Sequence, residues 1–247
     1  MSEVENILRG QDRDRYLSTF FAPDGKRPHL IALYAFNAEI LKVRDAVSDA
    51  NLGLIRLQWW RDTIESIYAG NPVPGHPVAE ALARAIAEGG LRKAALIDLV
   101  TAHEFDLFHD RMPGLNELEA YLGEAYSRLI MMAAMILDRD AAAKASECAG
   151  LAGVAQGLAL VLGDPAHRPP FLPDGMTVQE AIGHAGNRLA QAMALRPGLP
   201  NAVLPAFLPV SLTGLYLKKI ATAPDAPLRV SPLRRQFTMW WTAKRWG

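Results

Sequence analysis

Cysteine is nearly absent from this chain, and neither sign of charge is in excess. Its 247 residues contain one cysteine, Cys148, which excludes an intrachain disulfide and argues against a cysteine-based metal site. Lysine plus arginine equal aspartate plus glutamate, so the formal net charge is zero, and the basic face that nucleic-acid binding requires is not expected. One free thiol fits a reducing compartment.

The chain also lacks a long apolar run. Its most apolar helical stretch, residues 150–163, is shorter than the ~20 residues that span a bilayer. The opening "MSEVENILRGQDRDRYL" has no apolar segment of the secretory type. We therefore expect a cytoplasmic protein, and peripheral contact with the inner membrane stays open as an alternative.

Helical periodicity is present along nearly the whole chain, and no strand series or internal repeat is visible. We predict one all-α domain over residues 1–247. Thr177 followed by Glu180 has capping-box spacing, and glycines inside "GLAGVAQG" permit close helix packing. The predicted helices cover Pro28–Ser48, Leu52–Tyr68, Val78–Glu88, Leu91–Asp110, Leu115–Leu137, Ala141–Leu162 and Thr177–Leu195, with two shorter ones around "LTGLYLKKI" and "RRQFTMWWTAKRWG".

Two aspartates near the end of the first predicted helix are the leading candidates for chemistry. Asp45 and Asp49 are four residues apart, which places them on one helix face. Such a pair can hold Mg²⁺, which prefers hard oxygen ligands. The competing interpretation is that Asp49 caps the next helix, which begins near Leu52. Asn37 and Arg44 lie closer to the apolar arc, where polar groups need partners or line a pocket.

Other candidate residues fit simpler interpretations. For the consecutive Trp59 and Trp60 we expect one ring in the core and one exposed, and for the nearby Arg56 and Arg61 we expect solvated positions. A metal site in "AHEFDLFHDR" is imaginable. It would use His103, Glu104, Asp106, His109 and Asp110.

The end of the chain mixes three tryptophans with Lys244 and Arg245 in "FTMWWTAKRWG". Such a segment can seat a helix at a membrane interface, or it can dock over an apolar groove. We take docking as the default for a terminal helix.

The segment "LIALYAFNAEILKVRDAVSD", residues 30–49, resembles the first motif-bearing segment of the squalene and phytoene synthase family. These are all-α prenyltransferases whose first motif is D-x-x-x-D after a "YAFCR"-like segment. Here "YAFN" covers Tyr34 to Asn37. An ungapped alignment leaves Asp45 on one motif aspartate and puts Leu41 on the other.

Two later segments carry the same resemblance. "LEAYLGEAYSRLIMMAAMIL" puts Tyr121 on a family tyrosine. In "GVAQGLALVLGDPAHRPPFLP", Gln156 falls on the second motif's asparagine, and its two aspartates fall on Leu160 and Asp164. The second acidic pair is therefore reduced to one acid.

The resemblance implies an isoprenoid-synthase-like bundle with a central, mostly apolar cavity. It implies Mg²⁺ at Asp45 and Asp49, which would be catalytic if the protein is active. It also implies a prenyl diphosphate or other isoprenoid ligand. The implied ligand-binding residues are Tyr34, Asn37, Arg44, Tyr121, Gln156 and Asp164.

"RLQWWRD" and "YLKKI" resemble the family branch that contains a complex I assembly factor. We therefore expect a weakly active or inactive relative that acts as a binding or respiratory complex I assembly-type factor. The alternative is an active Mg²⁺-dependent transferase in carotenoid or hopanoid biosynthesis. A respiratory-complex partner and peripheral membrane contact are expected under the first interpretation, and a nucleic-acid partner under neither.

Overall fold

The computed structural model describes residues 2–71, 73–108 and 110–246. Within these residues the secondary structure is helical, without a strand, which confirms the predicted all-α class. The α-helices are α1 (Glu3–Gln11), α2 (Arg13–Ser18), α3 (Arg27–Asp45), α4 (Ala50–Tyr68), α5 (Pro77–Gly89), α6 (Lys93–Ala102), α7 (Leu115–Leu122), α8 (Arg128–Leu137), α9 (Arg139–Ala143), α10 (Ser146–Leu162), α11 (Val178–Leu195), α12 (Leu204–Phe207), α13 (Thr213–Thr222) and α14 (Pro232–Trp246).

Several predicted boundaries were wrong. The first predicted helix ends at Asp45, three residues early, and the helix predicted to reach Asp110 ends at Ala102. The helix predicted from Ala141 is two helices, α9 and α10. The predicted capping box is confirmed, since the Thr177 hydroxyl accepts from the Glu180 amide and the Glu180 carboxylate accepts from the Thr177 amide.

Helix α10 lies at the centre of the bundle and is buried almost all round. It packs against α8, α11, α13 and a π-helical segment, Gly123–Ser127, that joins α7 to α8. A methyl group at Gly153 would lie 2.3 Å from Cα of Ser127, so only glycine permits this approach. The Ser127 hydroxyl then donates to the carbonyl of Gly150 at 2.7 Å. The expected close packing is confirmed at Gly153 and Gly157 but not at Gly150, which has open space around it.

Two buried clusters of apolar side chains surround this axis. One lies among α3, α5, α6, α8 and α9, and the other lies among α7, the second half of α10, α11 and α13. Residues Asn201–Thr222 are long and apolar enough to cross a membrane, but 72% of their most apolar window is buried inside the protein. As predicted, Trp60 is in the core at 4% exposure while Trp59 is 42% exposed.

Candidate functional site

The ends of α3 and α10 meet, and charged side chains from both ends form one cluster. Arg44 lies in the last turn of α3, and Asp164 follows the end of α10. The Arg44 guanidinium donates to Asp45 at 3.1 Å and to Asp164 at 3.3 Å. His167 spans the same two acids, with Nδ1 2.9 Å from Asp164 and Nε2 3.7 Å from Asp45. We call these four residues the arginine-centred cluster.

Arg44 is held firmly in its charged form. Burial alone would lower the pKa of its guanidinium, but the hydrogen bond and charge of Asp45, with the charges of Asp106 and Asp164, raise that pKa overall. A permanent positive charge therefore lies between the acids of α3 and of the chain after α10.

Asp45 and Asp49 do not share a helix face, so this expectation was wrong. Helix α3 ends at Asp45, and Asp49 is the extended N-cap residue of α4. The Asp49 carboxylate accepts from the amide of Asn51 at 2.7 Å, which satisfies a free N–H of the new helix. The capping interpretation was the right one for Asp49.

Two leucines lie where the resemblance expects acids. Leu41 on α3 and Leu160 on α10 both line a small cavity of about 90 Å³ beside the arginine-centred cluster. Tyr121 and Tyr126 lie on the same walls. The wall thus presents apolar carbon where a metal-binding pair would present oxygen.

These residues do not fit a magnesium cluster. Among the residues that the structure describes, no group of three or more His, Cys, Asp or Glu side chains is arranged to hold a metal ion. Mg²⁺ demands near-ideal octahedral oxygen coordination, whereas the facing acids here already accept from an arginine, and the neighbouring wall positions are leucines.

Two residues of "AHEFDLFHDR", His103 and Asp106, form a buried hydrogen-bonded chain with Tyr121. Asp106 contacts His103 Nδ1 at 2.7 Å and accepts from the Tyr121 hydroxyl at 2.7 Å. Burial, followed by the charge of Asp106, raises the pKa of Tyr121 well above its ordinary value, so the phenol keeps its proton and donates. Glu104 instead pairs with Arg61, which corrects the expectation of a solvated arginine. His109 lies outside the described residues.

The remaining residues implied by the resemblance are buried and only partly satisfied. Asn37 is 2% exposed and Gln156 is 4% exposed, and the side-chain oxygen of each has no hydrogen-bond partner. Tyr34 is fully buried in α3, and burial raises the pKa of its phenol. Buried polar atoms without partners are costly unless a ligand or water meets them.

A second charged region, which the sequence did not reveal, involves the start of the chain. Asp12 caps α2 and pairs with the buried Arg15 at 2.5 Å. Asp14 accepts from the Tyr216 hydroxyl and pairs with Arg235 at 2.7 Å. Burial, followed by the charge of Asp12, raises the pKa of Asp14. The alternating charges of "DRDRY" were its only local signal.

These residues line a cavity of about 330 Å³ that also contacts Gln156 and Leu160. We call it the N-terminal pocket. Within it, Arg15 Nη2 and Arg235 Nε have no hydrogen-bond partner, and neither has the side-chain oxygen of Gln156. Three residues of the pocket lining therefore carry buried polar atoms without a partner, and the lining also includes an apolar wall.

A third cavity, of about 570 Å³, is also lined by residues of the arginine-centred cluster. Its lining mixes charged groups with apolar ones, and includes Arg44, Asp49, Asp106, Arg111, His167 and Phe171. Of the residues implied by the resemblance, Arg44, Asp45, Asp164 and Tyr121 thus lie in one region, while Gln156 lies on the N-terminal pocket.

Comparison with known proteins shows the family to which the sequence is similar. A sequence profile of the family described as squalene/phytoene synthase matches residues 8–166. The human protein named NADH dehydrogenase (ubiquinone) complex I, assembly factor 6 is 31% identical over 241 residues, which cover 87% of this chain and 72% of the human protein. A phytoene synthase from Arthrospira platensis matches at 28% identity, over 43% of this chain and 34% of that enzyme.

The fold also resembles that of a solved squalene synthase. The crystal structure of a squalene synthase from Alicyclobacillus acidocaldarius superposes with a TM-score of 0.72 at 17% identity, covering 91% of this chain and 94% of that one.

Proposed function

The chain belongs to the squalene/phytoene synthase family, and from that premise we propose that it is a binding protein of the respiratory complex I assembly type, with weak or absent prenyl-transfer activity. The observation that carries the proposal is the position of Arg44, whose guanidinium bridges Asp45 and Asp164. The extended match to a protein named as a complex I assembly factor supports it.

The physical reason concerns the leaving group of prenyl transfer. Breaking the bond to an allylic diphosphate requires several negative charges on pyrophosphate to be stabilised, and metal ions contribute several kcal/mol to this. Here one arginine already shares its donors between two carboxylates, and Leu41 and Leu160 offer no oxygen. The residues present are suited to an ion-pair cluster rather than to a metal clamp.

For the ligand, we propose a prenyl diphosphate or another isoprenoid with a polar head, held in the N-terminal pocket. The free donors of Arg15 and Arg235 suit an anionic oxygen, and Leu41, Leu160 and Leu228 supply an apolar wall. Binding would then proceed without cleavage. We place this function in the cytoplasm, at the side of the inner membrane where a respiratory complex is assembled.

The biochemical test incubates the protein with farnesyl or geranylgeranyl diphosphate and Mg²⁺ and measures pyrophosphate release. We expect no release above a protein-free control. Calorimetry in EDTA should still detect farnesyl diphosphate binding, weakened by Arg13→Gln, which removes one positive charge from an exposed residue of the pocket lining. The proposal would be overturned by a turnover that Asp45→Asn abolishes. The Asp45 side chain is 56% exposed, so the variant protein should fold normally.

The cellular test deletes the coding sequence and follows two outputs. We expect complex I activity to fall while carotenoids and hopanoids stay unchanged. Re-expression of the Asp45→Asn, Asp164→Asn double variant should restore complex I activity, because neither carboxylate is needed for catalysis. Loss of isoprenoid products with normal complex I activity would refute the assignment.

An active transferase remains the second candidate, and one observation favours it. Asp164, from the chain after α10, faces Asp45 from α3, so acids from both motif-bearing segments do meet. The pyrophosphate assay decides between the two functions.

A further inference from the structure

Helix α14 is docked with its large apolar side chains outward. Its one fully buried side chain is Met239, which packs in the second core cluster. Leu233 is 78% exposed, Phe237 62%, Trp240 43% and Trp241 48%. These four positions are spaced i, i+4, i+7 and i+8, so they form one stripe on the solvent side.

The inward face is held by specific contacts, so the outward stripe does not reflect a loosely attached helix. Arg235 pairs with Asp14 at 2.7 Å, and its guanidinium lies 5.9 Å from the ring of Tyr216. Near the end of the helix, Trp246 lies under the guanidinium of Arg196 at 5.0 Å. The helix also contacts α2, α12 and residues Leu208–Leu212.

The exposed aromatic rings form a continuous surface. The ring centroids of Phe237 and Trp241 are 6.2 Å apart with planes 15° from parallel, and Trp240 lies 6.2 Å from Phe237 and 6.4 Å from Trp241. Lys244 sits 4.2 Å from the Trp240 ring, and the guanidinium of Arg245 lies 5.8 Å from the Trp241 ring. Aromatic rings and cations thus lie against each other on one exposed face.

Charge is concentrated in the same region. Residues 197–247 contain seven lysines and arginines but one acid, Asp225, although the whole chain has no net charge. On α14 itself there is no acidic residue. A surface that meets this helix must therefore be negatively charged and able to accept tryptophan and phenylalanine rings.

We propose that α14 docks the protein on an anionic lipid bilayer, with Leu233, Phe237, Trp240 and Trp241 at the headgroup level and Arg234, Lys244 and Arg245 against lipid phosphates. Tryptophan is favoured at this depth, and amphipathic helices with basic residues lie in the interface plane. Fifteen residues are too few to span a bilayer, so the helix lies on the surface. The expectation that this helix docks on the bundle holds for its inward face, where Met239 is buried, whereas the rings of Phe237, Trp240 and Trp241 face solvent.

The inference is independent of the isoprenoid pocket. The test uses the full chain in a flotation assay with vesicles of phosphatidylcholine, alone or mixed with phosphatidylglycerol. We expect binding to the mixed vesicles, a blue shift of tryptophan emission, and binding that is at least ~10-fold weaker to neutral vesicles, because each cation near the surface contributes roughly fivefold. Added salt should weaken binding.

Two variants of α14 and one control identify the surface. Trp240→Ala with Trp241→Ala should reduce binding by ~10-fold or more, and Arg234→Gln with Lys244→Gln and Arg245→Gln should reduce it on the order of 100-fold. Trp59→Ala removes a similarly exposed ring from α4 and should bind as the unaltered chain does. Arg235 is left intact because it pairs with Asp14.

Circular dichroism verifies that each variant is folded. The proposal is overturned if the folded α14 variants bind as tightly as the unaltered chain, if neutral and anionic vesicles bind equally, or if no vesicle binds. If no vesicle binds, the exposed stripe of α14 would instead be assigned to a protein partner. None of these outcomes changes the pyrophosphate or complex I measurements, so the two proposals fail separately.

Discussion

Replacing Arg44 by methionine should turn the arginine-centred cluster into a site that responds to Mg²⁺. The guanidinium now contacts Asp45 at 3.1 Å and Asp164 at 3.3 Å, and methionine keeps similar bulk without charge. Both acids are about half exposed, so each pair contributes only about 0.2–1 kcal/mol. We expect Arg44→Met to lower stability by about 0.5–2 kcal/mol in the absence of divalent ions.

The informative measurement is the effect of magnesium on the melting temperature. In Arg44→Met the two facing carboxylates lack their fixed cation. If they bind Mg²⁺ with a Kd of about 1 mM, then about 10 mM Mg²⁺ stabilises the variant by roughly 1.4 kcal/mol. For a chain of this size that corresponds to roughly 3–6 °C in Tm. The unaltered protein should show no shift beyond that of NaCl at matched ionic strength.

Differential scanning fluorimetry gives the melting temperatures of the unaltered protein and of Arg44→Met, each with and without Mg²⁺. The double variant Arg44→Met, Asp45→Asn is the matched control, and it should lose the magnesium effect. The reasoning is refuted if the unaltered protein is stabilised by Mg²⁺ as much as Arg44→Met is. It is also refuted if Asp45→Asn alone abolishes a magnesium effect in the presence of Arg44, because the arginine would then coexist with a metal.

Three further predictions concern stability and reactivity. In urea unfolding, Gly153→Ala should lower the free energy of unfolding by roughly 1–3 kcal/mol, because its methyl group meets backbone. Gly150→Ala, with open space around it, should raise that free energy by up to ~1 kcal/mol. Equal effects of the two substitutions would contradict the packing argument. Burial raises the pKa of the Cys148 thiol to about 11, so labelling by a thiol reagent at pH 8 should be ~100-fold slower in the native than in the unfolded protein, and similar rates would show that the site is open. Burial would raise the pKa of Glu119, but hydrogen bonds from its arginine and histidine partners lower that pKa overall. Glu119→Gln should therefore lower the free energy of unfolding by about 0.5–1 kcal/mol at pH 7, and the difference should vanish as pH falls through the depressed pKa. A loss of stability that persists in acid would indicate a packing effect instead.

Local sequence rules predicted the helical class and most helix cores, because apolar spacing and caps are local properties. Thr177 and Glu180 were read correctly for this reason. The same rules failed at Asp49, where two local patterns compete. Four-residue spacing from Asp45 suggested a shared face, and the start of α4 suggested a cap. Because α3 ends at Asp45, the cap prevails, and no spacing argument could decide where α3 would end.

The partners of charged residues lie beyond local rules. Arg44 meets Asp164 from 120 positions away, and Arg235 meets Asp14 from 221 positions away. Sequence position fixes neither contact, since each depends on how whole helices pack. The N-terminal pocket escaped prediction for the same reason, because four of its five charged lining residues are residues 12–15 and the fifth, Arg235, comes from the opposite end of the chain.

The arginine-centred cluster and the N-terminal pocket differ in the net charge that a ligand would meet. At the arginine-centred cluster, Asp45 and Asp164 face one guanidinium, so even a positively charged His167 would only bring the local charge to zero. The N-terminal pocket contains three arginines and two aspartates, which leaves one positive charge and unpaired donors on Arg15 and Arg235. Since attraction between charges strengthens as water is excluded, we expect an anionic head group to favour the N-terminal pocket over the arginine-centred cluster. Under the proposed function, a head group in this pocket would lie across Leu41 and Leu160 from Asp45 and Asp164, so the pocket would retain the ligand rather than cleave it.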